Sequence, residues 1–143
     1  MGRIVVGVDG SEASKRALEW AAEEARLHGA SLELVFVYHP PYVSETIASP
    51  EQADEIFLRP KQDAERVLGQ FAAEVRDVPV ETLAVEDASP AGALVDHSRG
   101  ADMLVVSARG MGAFRRLILG SVSSQLAHHA ECPLVIIRGG KHG

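Results

Sequence analysis

Five short runs rich in β-branched residues punctuate this chain: Arg3 to Asp9 (RIVVGVD), Leu32 to Tyr38 (LELVFVY), Val80 to Val85 (VETLAV), Met103 to Ser107 (MLVVS) and Pro133 to Arg138 (PLVIIR). Between them the apolar residues recur with a helical period. Runs of this length and composition are strands. Those that are nearly all apolar require cover on both faces, as strands of a parallel sheet have. The first helical pattern sets Leu18, Ala21, Ala22 and Ala25 on one side, with Ser11 as N-cap and Gly29 just past the end. A second carries Ala64, Val67, Leu68, Phe71, Ala72 and Val75 in one stripe. A third starts at Ser89 as cap and Pro90 at the first helical position, and carries Leu94 and Val95. The fourth runs from Ser121 to Ala130 and stops before Pro133. Strand and helix in strict alternation, joined by right-handed crossovers, give an open α/β sheet with helices on both faces. At 143 residues, 46% of them hydrophobic, the chain is one domain able to bury a core without staples.

One connection does not fit the alternation. Tyr38 to Glu51 (YHPPYVSETIASPE) is long and rich in Pro and Ser, so it is either a mobile surface loop or a lid. The formal charge of −6 weighs against sequence-independent binding of nucleic acid or of an anionic membrane, which needs a basic surface. Any phosphate is therefore held locally. The single Cys132 allows no internal disulfide and is expected to be a buried, inert thiol, which suits a reducing cytoplasm. The chain enters a strand at once, without the pattern of a signal peptide, and no apolar run reaches membrane-spanning length. A cytoplasmic protein with no membrane contact is the expectation.

In an open α/β sheet, ligands bind beyond the carboxyl ends of the strands where the strand order reverses. Two segments qualify. The first is VDGSE, Val8 to Glu12, in which the strand ends in Asp9 and turns through Gly10 into a capped helix. The second, SARGMGAFRRLILGSVSS, leaves a strand at Ser107 and enters a helix at Gly120 and Ser121. Glycine lets a backbone approach a ligand and adopt positive φ, and the first amides of a helix are unpaired donors at a positive dipole end. Gly110, Gly112 and Gly120, followed by Ser121, Val122 and Ser123, thus read as a phosphate cradle; equally, Gly110 and Gly112 make a turn and Ser121 is only an N-cap.

GVDGSEASKRALEWAAEEA near the start, together with SARGMGAFRRLILGSVSSQLAHHAECPLVIIR at the end, resembles the universal stress protein family over essentially all of residues 1–143. Members that bind ATP carry Gly, two residues, Gly, nine residues, then Gly followed by Ser or Thr. Gly110, Gly120 and Ser121 satisfy the later parts of that pattern. Its first glycine is replaced by Ser107, whose side chain either crowds a nucleotide or adds a donor. The resemblance implies a single-domain, five-stranded parallel sheet of order 3-2-1-4-5, with both segments at the switch point. It further implies that Asp9 faces the ribose or a Mg2+ on the phosphates, that Val37 and Val106 flank the adenine, and that Gly110, Gly120, Ser121, Val122 and Ser123 contact phosphate.

The remaining polar residues offer less. His128 and His129 point about 100° apart on a helix, and His28, His39, His97 and His142 are scattered, so no metal-ligand spacing arises. Lys141 and His142 belong to a frayed terminus. Asp9 is the acidic residue expected at a strand end facing the site. Arg109, Arg115 and Arg116 are either phosphate counter-charges or solvated loop residues. Three functions stand: a nucleotide-dependent regulatory module of the stress response that binds ATP; a slow ATP-hydrolysing enzyme, for which no evident general base is present, so that no residue is named catalytic; and a dimeric interaction protein with a vestigial pocket. The strand Leu134 to Arg138 is expected to be an edge covered by its twofold mate in a homodimer, as the resemblance also implies. The protein partner and the stress are not legible.

Overall fold

The computed structural model describes residues 2–41, 46–108 and 120–138. Arg109, Gly110, Gly112, Arg115, Arg116, Lys141 and His142 lie outside these residues, as does part of the long connection. The elements are β1 (Arg3–Gly7), α1 (Glu12–His28), β2 (Ser31–Tyr38), α2 (Pro50–Phe57), α3 (Arg59–Ala73), β3 (Val80–Glu86), α4 (Pro90–His97), β4 (Met103–Ser107), α5 (Ser121–His129) and β5 (Leu134–Ile137).

The strands form one all-parallel sheet of order β3-β2-β1-β4-β5. The order reverses between β1 and β4. Strand alternation sorts the side chains onto two faces. Ile4, Val6, Leu32, Leu34 and Val105 pack against Leu18, Ala21 and Ala25 of α1 and Leu68 and Phe71 of α3. Val5, Val35, Leu104 and Val106 pack on the other face against Ala91 and Leu94 of α4 and Leu126 of α5. Both faces of the central strands are thus dry, which explains their unbroken apolar runs.

The helix ends form as their sequence signals require. Ser11 caps α1 by accepting from the Ser14 amide, and Gly29 closes it in the left-handed region at φ 65°. Ser89 caps α4 in the same way through the Gly92 amide, with Pro90 behind it.

Three details differ from the sequence reading. The connection after β2 is shorter than Tyr38 to Glu51, because Pro50 opens α2 behind Ser49, whose hydroxyl accepts from the Gln52 amide. No residue of α2 is buried, so the helix lacked the apolar stripe by which the others were found. The edge strand β5 ends at Ile137, leaving Arg138 just beyond it. Cys132 is half-buried rather than buried. Among the described residues no helix is long and apolar enough to cross a membrane.

Candidate functional site

The carboxyl ends of β1, β2 and β4 meet at the switch point. Val6 pairs with Leu34 on one side and Val105 on the other; Asp9 and Ala108 follow just past the ends of β1 and β4, and Val37 lies near the end of β2. The Val8 amide donates to the Val35 carbonyl at 2.9 Å, after which the chain leaves the sheet. Gly10 turns it at φ 84°, a conformation that a side chain at this position would strain.

The turn fixes Asp9 through two hydroxyls. Asp9 Oδ1 accepts from the Ser11 amide at 2.9 Å and from Ser11 Oγ at 2.6 Å. Ser11 Oγ in turn accepts from the Ser14 amide at 3.1 Å. Ser14 Oγ, in a residue only 1% exposed, donates to the Ser11 carbonyl at 2.9 Å and accepts from the Asp9 amide at 3.3 Å. The half-buried carboxylate is oriented by the same residues that start α1. Sequence reasoning took Ser11 as a cap alone and passed over Ser14; the signal was the spacing Asp-x-Ser-x-x-Ser.

Strand alternation at the end of β4 separates Val106 from Ser107. Val106 joins the α4 and α5 face, where Val37 also packs. Val106 is only 5% exposed, held under the end of β1 where a Cβ on Gly7 would lie 3.2 Å from it. Ser107 pairs with Ile137, which packs on the α1 and α3 face. The side chain that replaces the pattern's glycine is therefore directed, by alternation, to the opposite side of the sheet from Val37 and Val106.

Beyond Ser107 the chain is fastened at Ala108. Its amide donates to the Ile137 carbonyl at 2.8 Å, and its carbonyl accepts from the Gly120 amide at 2.7 Å. The same carbonyl accepts from Ser123 Oγ at 2.6 Å. No side-chain signal marks Ala108, so this junction was not readable in advance. Gly120 is the N-cap of α5 in an extended conformation, φ −74° and ψ 172°, that any residue adopts. Close approach, not positive φ, is left as the reason for glycine there. Ser121 is consequently the first helical residue and not the cap. It is exposed, Val122 is half-buried, and Ser123 is 2% exposed.

The Ser124 amide bonds back to the Gly120 carbonyl, so the amides of Ser121, Val122 and Ser123 are the leading donors of α5, and among the described residues no side chain caps them. The first turn of α5, a positive helix end, is tied to Ala108 just past β4, the strand next to β1, and Val37 and Val106 lie on the α4 and α5 face of the sheet. At the end of β2, burial, then the nearby charges of Glu86 and Glu65, push the Tyr38 phenol above its ordinary range. Asp87, past the end of β3, also sits at a strand terminus, but its Oδ1 accepts from the Ser89 amide at the outer edge of the sheet. Among the described residues no three His, Cys, Asp or Glu side chains gather as a metal cage.

The model of the universal stress protein family matches residues 1–138. A universal stress protein of Mycolicibacterium smegmatis is 36% identical over 144 residues, covering 95% of this chain and 48% of that one. One from Thermus aquaticus is 35% identical over 137 residues, covering 94% of this chain and 97% of that one. The chain thus spans about half the length of most of the curated relatives it matches. Among solved structures, a universal stress protein in complex with cAMP is 26% identical and covers 95% of this chain and 96% of its own, with a TM-score of 0.68.

Proposed function

The chain belongs to the universal stress protein family, and from that premise we propose that it is a nucleotide-dependent regulatory module of the stress response whose ligand is ATP. One observation carries the reading: the first turn of α5 starts from Gly120, which is bonded to Ala108 just past β4, and β4 adjoins β1 at the switch point, where Asp9 follows β1. Three leading amides and a helix dipole suit a phosphate chain. Val37 and Val106 supply an apolar wall for the base, and a relative of the same fold is seen in complex with cAMP. Mg2+ takes most of its ligands from phosphate and water, so the single carboxylate of Asp9 fits a metal held jointly with the nucleotide. Arg109, Gly110 and Gly112 are assigned to the phosphates by family pattern alone. Hydrolysis, if any, is slow.

Titration calorimetry with ATP, AMP and cAMP tests the site. Gly120→Val adds a branched side chain where the backbone is to meet phosphate, and is expected to abolish binding while the circular dichroism spectrum is kept. Ser121→Ala removes an exposed hydroxyl that is not the cap. A hydrogen bond to a charged acceptor contributes about 1.5–3 kcal/mol, so affinity falls by roughly ten- to a hundredfold at unchanged stability. Gly120→Val protein that binds ATP like the wild type removes the cradle.

A second reading rests on the near-complete burial of Val106 and on the engagement of the Gly120 amide and the Ser123 hydroxyl by Ala108. Under it the pocket is vestigial and the protein acts as a dimeric interaction module. Wild-type protein that binds none of the three nucleotides selects it. Under either reading we assign β5 as the homodimer edge.

A further inference from the structure

We propose that the Ser123 hydroxyl is a positioning group that sets the height of the leading amides of α5, and is not itself a phosphate contact; the proposal rests on the nucleotide reading above. Family resemblance puts position 123 among the phosphate contacts. The geometry turns its hydroxyl the other way. Ser123 is 2% exposed, and its Oγ donates to the Ala108 carbonyl at 2.6 Å, with the Gly120 carbonyl 3.2 Å away as the alternative acceptor. A hydroxyl has one proton to give, and both acceptors are backbone of the junction rather than of the open side.

The Ala108 carbonyl has two lone pairs, and both are used, one by Ser123 Oγ and one by the Gly120 amide at 2.7 Å. The Ala108 amide is tied to the Ile137 carbonyl of β5 at 2.8 Å. The cap turn of α5 is thereby bolted at two points to a residue that is itself bolted to the sheet. With that bolt in place, the Ser121 and Val122 amides are held at fixed height over the end of β4. Without the hydroxyl, the Gly120 amide alone holds the turn, and the amides lose alignment with any phosphate they meet.

Calorimetry with ATP and hydrogen exchange at the Gly120 amide of the ligand-free protein, measured together, test this. Ser123→Ala is expected to weaken ATP binding by about five- to tenfold, the worth of one ordinary hydrogen bond, and to speed Gly120 exchange in the absence of ligand. Ser123→Thr, which keeps the hydroxyl, is expected to restore both. Weakened binding with unchanged Gly120 exchange means that the hydroxyl meets phosphate directly and overturns the proposal. Faster exchange with unchanged ATP affinity makes Ser123 merely structural and overturns it too. If Ser123→Ala fails to fold, Ser123→Cys replaces it under the same criteria. Wild-type protein that binds no ATP removes the nucleotide reading first and the positioning role with it, whereas loss confined to Ser123→Ala leaves that reading intact.

Discussion

The Ser11 hydroxyl accepts from the Ser14 amide while giving its proton to Asp9 Oδ1, so helix start and carboxylate orientation depend on one oxygen. Removing it leaves α1 uncapped and one carboxylate bond unmade. Ser11→Ala is expected to lose about 1–2 kcal/mol of stability, and Ser11→Thr, which keeps the hydroxyl, much less. Urea unfolding measures it, and equal midpoints for Ser11→Ala and wild type would show that the network holds nothing. The same Asp-x-Ser spelling occurs at Asp87 and Ser89, where the carboxylate again accepts from the serine amide ahead of a helix. Local sequence cannot separate the two. Only the strand order, which puts β1 at the switch point and β3 at the rim, makes Asp9 rather than Asp87 the candidate. Side-chain direction was hidden for a related reason. That Ser107 leans to the α1 and α3 face depends on its register with Ile137, a partner thirty positions away along the chain.

Helices with a buried stripe were legible, and α2 was not. Ser49-Pro50 spells the same start as Ser89-Pro90, yet α4 buries Ala91, Ala93 and Leu94 whereas α2 buries nothing. The short helix is fastened at its N-terminal end: Ser49 Oγ accepts from the Gln52 amide, and Gln52 Oε1 reaches back to accept from the Ala48 amide at 2.6 Å. Local opening of such an element is nearly uncoupled from global unfolding. Ser49→Ala is expected to speed amide exchange through Ala53 to Phe57 while the global midpoint hardly moves. Ser89→Ala, at the mouth of a helix that packs into the core, is expected to lower global stability by about 1 kcal/mol. Equal global losses for the two variants would contradict this division. The exposed Phe57 and Leu58 at the α2–α3 joint, each 49% exposed, belong to the same loosely tied corner.

The sheet as a whole has two unlike rims. β3 exposes Glu81, Thr82 and Glu86, charges and polarity that discourage strand addition, while Leu134 to Ile137 of β5 carries none. Alternation of strand and helix disclosed the parallel sheet from the sequence, and this contrast was visible there too, because edge residues keep their character whatever packs above them. Light scattering of the wild type at tens of micromolar is expected to give the mass of two chains, and a monomer would refute pairing through β5. Ile136→Asp, which also burdens the α5 side where Ile136 packs, is expected to be monomeric or insoluble. The Ala108 junction has one more consequence. It joins Ala108 and Gly120 by a direct hydrogen bond, so two points twelve positions apart in the chain are held together without help from the residues between them. Severing the chain between them would leave two pieces still zipped along β4 and β5.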